Sequence, residues 1–181
     1  MEPVELPAGE LLLLRPWRDD DAPAVWAAMQ DPGIRRWNGT VTGGPADVRA
    51  LLARRRDWSA GDQASFAVVD AAGGALLGAV SLHSIDRDQG DAEVGYWTVP
   101  AARGRRVAVR AATTVVGWGF DTLGLHRVQL FHAVGNPASG RVAAAAGFTC
   151  EGRLRRSHRY GDGVRHDELV WSRLADDPAP A

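Results

Sequence analysis

Three strand-like runs follow one another at residues 65–69, 75–84 and 92–99, with only short turns at 71–74 and 86–91 between them. A strand at 10–17 and two helices precede this block. The first helix follows an Asp19 or Asp20 cap and runs through Val25, Trp26 and Met29, with Pro23 in its first turn. The second spans 45–59, with leucines on one face and Arg54, Arg55 and Arg56 largely in water. After the block come a long helix at 104–123, a strand at 126–133, a short helix at 137–146 ended by Gly147, and strands at 148–155 and 167–174. The order is βαα, βββ, αβ, αββ. A doubly wound nucleotide fold needs a steady βαβα alternation, which is missing, so the expected class is a mixed α/β sheet. The stretch 31–44 reads mostly as loop, and the tail 175–181 is expected to fray.

With 181 residues and 45% hydrophobic content the chain suits a single domain over 1–181, its core at about 10–174. A formal net charge of −1 gives no global pull toward nucleic acid or an anionic membrane. All 21 basic residues are arginines, clustered at 103–110 and 153–159, and guanidinium forks match phosphate oxygens. Cys150 is the sole cysteine, which excludes an intrachain disulfide; it reads as a core residue beside Phe148. The first residues are acidic and the apolar run 11–14 is far too short for a signal or membrane segment, so a cytoplasmic protein is expected. His126 and His132 have no third ligand at metal spacing, so no metal is expected.

The segment VPAARGRRVAVRAATTVVGWGF, residues 99–120, places Gly104 among Arg103, Arg105 and Arg106 at the mouth of the long helix. A helix start carries unpaired N–H groups and about half a positive charge. A residue without Cβ lets an anion approach that backbone, and a pyrophosphate is the natural guest. A solvated arginine-rich loop capping a core helix is the other reading.

Two neighbouring segments, AEVGYWTVPAARG at 92–104 and VGNPASGRVAAAAGFTCEGRLR at 134–155, are read together with RPWRDDDAPAVWAAM near the start. They resemble the GNAT superfamily of N-acetyltransferases, and within it the RimJ/RimL-type branch, from about residue 11 to 174. The resemblance implies a mixed, mostly antiparallel sheet of six to seven strands, its fourth and fifth predicted strands splayed apart, flanked by about four helices. It implies acetyl-CoA as cosubstrate. The pantetheine arm would pair with Trp97, Thr98 and Val99 as an added strand does, and the pyrophosphate would sit on Arg103, Gly104, Arg105, Arg106, Val107 and Ala108. Asn136, Ser139 and Arg141 complete the implied cofactor set. Asn136 can equally cap the helix at Pro137. Of the family pattern Gln/Arg-x-x-Gly-x-Gly/Ala, only the middle glycine is kept: Ala101, Gly104 and Arg106 stand at those positions.

The implied reaction moves acetyl directly to a primary amine, that of a protein N-terminus or a small molecule. It needs a base or water relay and an acid for the thiolate. Ser139 is the implied acid. Glu93, which strand alternation places on one face with Gly95 and Trp97, is one candidate base; a structural carboxylate bonded to an arginine is the alternative. His158, where some relatives carry glutamate, is the other candidate, and Tyr160 is a spare acid. Trp37, Asn38 and Glu93 are the expected acceptor contacts, in loops at 31–44 and 156–166. No nucleic acid or membrane partner is expected, and a homodimer is left open. A CoA-binding module without turnover is the alternative function.

Overall fold

The computed structural model describes residues 1–38 and 43–180. The expected acceptor loop at 31–44 therefore lies in part, at 39–42, outside the described residues. Among the described residues a single sheet of eight strands has the order β1-β2-β3-β4-β5-β6-β8-β7. Its strands are β1 (Leu6–Pro7), β2 (Leu12–Pro16), β3 (Ala64–Asp70), β4 (Leu76–Asp86), β5 (Asp91–Thr98), β6 (Arg127–Ala133), β7 (Thr149–Arg159) and β8 (Arg165–Leu174). Helices α1 (Ala22–Ala28), α2 (Pro32–Trp37), α3 (Pro45–Arg56), α4 (Val107–Leu123) and α5 (Pro137–Ala145) flank it. Short turns join β3, β4 and β5 into an antiparallel meander, β2 pairs antiparallel with β3 across the excursion that carries α1 to α3, and the α4 crossover returns the chain parallel to β5.

Helices on both faces explain why β3 is buried along nearly its whole length. Phe66 and Val68 point into one layer with Leu14, Leu82, Val115 and Leu130, under α4. Ala67 and Val69 point the other way, onto Val25, Val48 and Leu52 of α1 and α3. Each such fully buried Leu, Val or Phe contributes roughly 1.5–3 kcal/mol. At the start of α1 a buried ion pair, Arg15 to Asp21 at 2.7 and 2.8 Å, fixes the chain's exit from β2. Among the described residues no helix is long and apolar enough to cross a membrane.

Several local expectations are corrected. The stretch 31–44 is not mostly loop: it holds α2, because the Asp31 carboxylate accepts from Ile34 N at 2.9 Å, Pro32 opens the helix, and Ile34 is buried. The long helix begins at Val107 rather than 104, since Gly104 (φ 77°) and Arg106 (φ 58°) are both left-handed and stop the helix from extending backward. Cys150 is exposed, not part of the core, because β7 is the edge strand of the sheet. Arg55 is half-buried rather than in water. After β8 the chain stays attached for at least a turn, with Ala175 N donating to His126 O and Leu174 N to Asp177.

Candidate active site

β5 and β6 pair at only three positions, Asp91–Arg127, Ala92–Val128 and Glu93–Gln129. Beyond Glu93 the strands part, so the β6-facing backbone of Val94 to Thr98 has no ladder partner on that side. A parallel pair joined by a helix has no tight turn to hold its ends together, which is what permits the gap. A cleft of about 840 Å³ fills it. Trp97, Thr98, Arg103, Gly104, Arg106, Val107 and Ala108 line one side. Asn136, Ser139 and Arg141 line the other, with Trp37, Asn38 and Tyr160 at the rim. Val99, Arg105, Glu93 and His158 do not line it.

One end of the cleft is the start of α4. No side chain caps this helix, and a Cβ placed on Gly104 would meet nothing within 4 Å, so the approach to the first-turn N–H groups is open. Arg106 occupies the left-handed cap position. A residue with a Cβ costs about 1–2 kcal/mol in that conformation. The Arg103 guanidinium pairs with Asp31 at the N-terminus of α2. That guanidinium holds the Asp31 carboxyl below the usual range.

At the other end the Asn136 side chain accepts from Ser139 N at 3.4 Å, so it caps α5. Ser139 Oγ lies 2.7 Å from the Tyr96 hydroxyl, and Tyr96 also reaches the Ser139 carbonyl at 3.2 Å. Burial pushes the Tyr96 phenol up to about 12, although Ser139 pulls it back. Tyr96 therefore keeps a proton to donate throughout the neutral range. If it donates to Ser139 Oγ, the serine's own hydrogen is free for the cleft. Sequence reasoning missed Tyr96. The alternation that put Glu93, Gly95 and Trp97 on one face puts Tyr96 on the other, facing α5, and that was the available signal.

Buried His132 also faces the cleft. Trp171 Nε1 donates to its Nε2 at 3.0 Å, so Nδ1 carries the hydrogen and donates to Ala133 O at 2.8 Å, a neutral tautomer with both nitrogens engaged. Tyr160 donates its hydroxyl to Glu168 at 2.7 Å, and burial with that carboxylate pushes the phenol far above its ordinary value. Its proton is thus committed away from the cleft. Trp37 packs edge-on against Tyr160 and His166, with Gly135 against its outer edge. Gly161 N donates to Arg36 O, docking α2 onto the β7–β8 hairpin.

Glu93 points to the opposite sheet face. Its partner is not an arginine but His83, on the facing position of β4, at 3.5 Å. The His83 contact, more than offsetting burial, holds the Glu93 carboxyl below the usual range, and His158 adds to the effect. The structure therefore pairs Glu93 with His83, while His158 stands on the edge strand β7 with its ring 4.8 Å from that of Tyr160. His83 borders a second cavity of about 640 Å³, which shares Asn38, Gly95, Tyr96 and Trp97 with the first. The two spaces thus share β5 as a wall. Among the described residues no cluster of His, Cys, Asp and Glu could hold a metal ion.

The acetyltransferase (GNAT) domain model matches residues 12–149. YdaF of Bacillus subtilis (strain 168), whose name assigns it without proof as a ribosomal N-acetyltransferase, is 36% identical over 101 residues, 56% of this chain and 55% of that one. The matched part spans about half the length of that relative. The uncharacterised N-acetyltransferase YoaA of the same organism is 27% identical over 89% of this chain and 92% of its own. Among solved structures, Mycobacterium smegmatis RimJ in complex with CoA-disulfide superposes with a TM-score of 0.84 at 25% identity, covering 97% of this chain and 91% of that one.

Proposed function

This chain belongs to the GNAT acetyltransferase family, and on that premise we propose that it transfers the acetyl group of acetyl-CoA to a primary amine, such as a protein N-terminus. The observation that carries the reading is the unpaired β5 edge, with an uncapped helix start at one end and the Tyr96–Ser139 pair at the other. The residues present fit the coenzyme. Free backbone at Val94 to Thr98 can receive an amide-bearing arm as a strand would. The N–H groups around Gly104, Arg105 and Arg106 suit a diphosphate, and Arg141 at the cleft wall adds a cation. Acetyl-CoA supplies an acyl group already activated as a thioester.

The amine nitrogen attacks the carbonyl carbon in its neutral form, the C–S bond breaks, and the electron pair goes to sulfur. Ser139, held in place by Tyr96, relays a proton to the departing thiolate and regains one from water. Glu93, paired with His83 on the face of β5 away from Tyr96, takes the proton the amine loses and releases it to water. An α-amine has a pKa of roughly 8 against 10.4 for lysine, so a peptide N-terminus needs less help from a carboxylate of lowered basicity. The name given to YdaF is in keeping with such a substrate. The test is thiol release from acetyl-CoA by the purified protein with N-terminal peptides and small amines, with the acetylated product identified by mass. Saturable CoA binding without thiol release from any of them would replace this reading by a non-catalytic binding module.

A further inference from the structure

Two arginines lining the second cavity form no ion pair among the described residues. Arg54 and Arg55, at the end of α3, both line it, whereas their neighbour Arg56 pairs with Asp19 at 3.0 Å. Arg55 is half-buried, and the charge acting on it is Arg54, of like sign. Burial first, then that repulsion, pull its guanidinium below its ordinary value. The C-terminal end of α3 offsets only about half an elementary charge, against two arginines. Gln63 does not neutralise them, since its amide donates to Arg54 O and Asp57 O.

Trp17, Val25, Met29, Leu52 and Trp97 give the cavity its apolar wall, with the Trp17 and Trp97 rings stacked at 6.5 Å. His83, the partner of Glu93, also lines it; it lies one step beyond the Ala64–Leu82 pair, on the side of Gln63, whose amide bonds the end of α3 that carries Arg54. Cationic groups, an apolar wall and a carboxylate-backed histidine therefore share one space.

We propose that this cavity is an acceptor pocket for primary amines that also carry an anionic group, a carboxylate or a phosphate, which Arg54 and Arg55 bind while the amine reaches the β5 opening. The proposal rests on the acetyl-transfer reading above. Guanidinium forks bind both anions through paired N–H···O bonds, and a half-buried, uncompensated charge gains most from such a partner.

The test uses matched acceptors: β-alanine against its amide for the carboxylate source, and O-phosphoethanolamine against ethanolamine for the phosphate source. The kcat/KM ratio of anionic to neutral partner is compared between wild type, Arg55→Gln and, as a charge-matched control on the exposed face of α3, Arg49→Gln. Comparing ratios between variants cancels differences in amine basicity. The expected result is a ratio that falls about tenfold or more in Arg55→Gln, the scale of one hydrogen bond to a charged group, and holds in Arg49→Gln. The arm that shows the fall names the anion. A ratio unchanged by Arg55→Gln overturns the proposal. If no amine releases thiol, the transfer reading fails, and calorimetric binding decides the pocket. Binding of β-alanine or O-phosphoethanolamine that is lost in Arg55→Gln supports it, and no binding to wild type overturns it.

Discussion

Removing the Tyr96 hydroxyl tests whether Ser139 works as the acid and whether Tyr96 holds it in place. In Tyr96→Phe the 2.7 Å bond to Ser139 Oγ disappears while the ring stays packed. A hydrogen bond of this kind is worth about 0.5–1.5 kcal/mol net. Unfolding should therefore shift down by roughly 2–4 °C per kcal/mol for a domain of this size. The serine would then be free to rotate, and kcat should fall roughly threefold to tenfold. Ser139→Ala removes the proton donor itself. General acids contribute about 10²–10⁴-fold, but a thiol of pKa near 8.5 is a good leaving group, so a loss near the lower end is expected, about 10²-fold in kcat. KM for the coenzyme should change little in either variant. The decisive measurement is the double-mutant cycle. If Tyr96 acts through Ser139, adding Tyr96→Phe to Ser139→Ala should cost no further kcat, although the stability loss should persist. Fully additive kcat losses, or a Ser139→Ala enzyme as fast as wild type, would refute the reasoning.

Asp21→Asn should cost about 3–5 kcal/mol in chemical denaturation, because it strands a buried Arg15 guanidinium. Burial pushes the Asp21 carboxyl up, but hydrogen bonds from Arg15 and Arg18 outweigh it and the net shift is down. Its stabilising effect is therefore full above the ordinary value of 3.8 and is lost as pH falls below it, so the variant's stability should depend less on pH in that range. Arg106→Gly relieves a left-handed side chain worth about 1–2 kcal/mol and gives back about 0.4–1 kcal/mol in unfolded-chain entropy. A small rise in melting temperature with tighter CoA binding by calorimetry is expected, and a clear fall in both would contradict the strain argument. A Cβ at Gly161 would run into the Arg35 carbonyl oxygen, so Gly161→Ala should undock α2 from the hairpin, raising KM for the amine while CoA affinity holds.

The core and the order of elements were legible because they rest on local patterns. The meander at 65–99 shows as alternating apolar runs broken by turn residues, and α4 as a long periodic stretch behind Gly104. Asn136 and Ser139 could be placed because a cap and its helix are neighbours in the chain. Short α2 was hidden, since six residues with only Ile34 and Trp37 apolar, three apart, give too short a periodic signal, and the helix is held by a single aspartate cap. The partner of Glu93 was hidden too, because His83 reaches it only across the β4–β5 register.

Local pattern was enough to read the mixed sheet and to offer the helix mouth and the Asn136 cap as one of two readings each, because these depend on residues within a few positions of one another; the roles given to Asn136 and Ser139 came from the family resemblance. Only the folded chain decided the gap between β5 and β6, the Tyr96 hydroxyl on Ser139, Arg103 tied to Asp31, and Arg54 and Arg55 unpaired in a cavity. Those depend on which strands part and which elements meet across the sheet. Such contacts join residues far apart in the chain, and burial and charge pairing select them only once the whole core is packed.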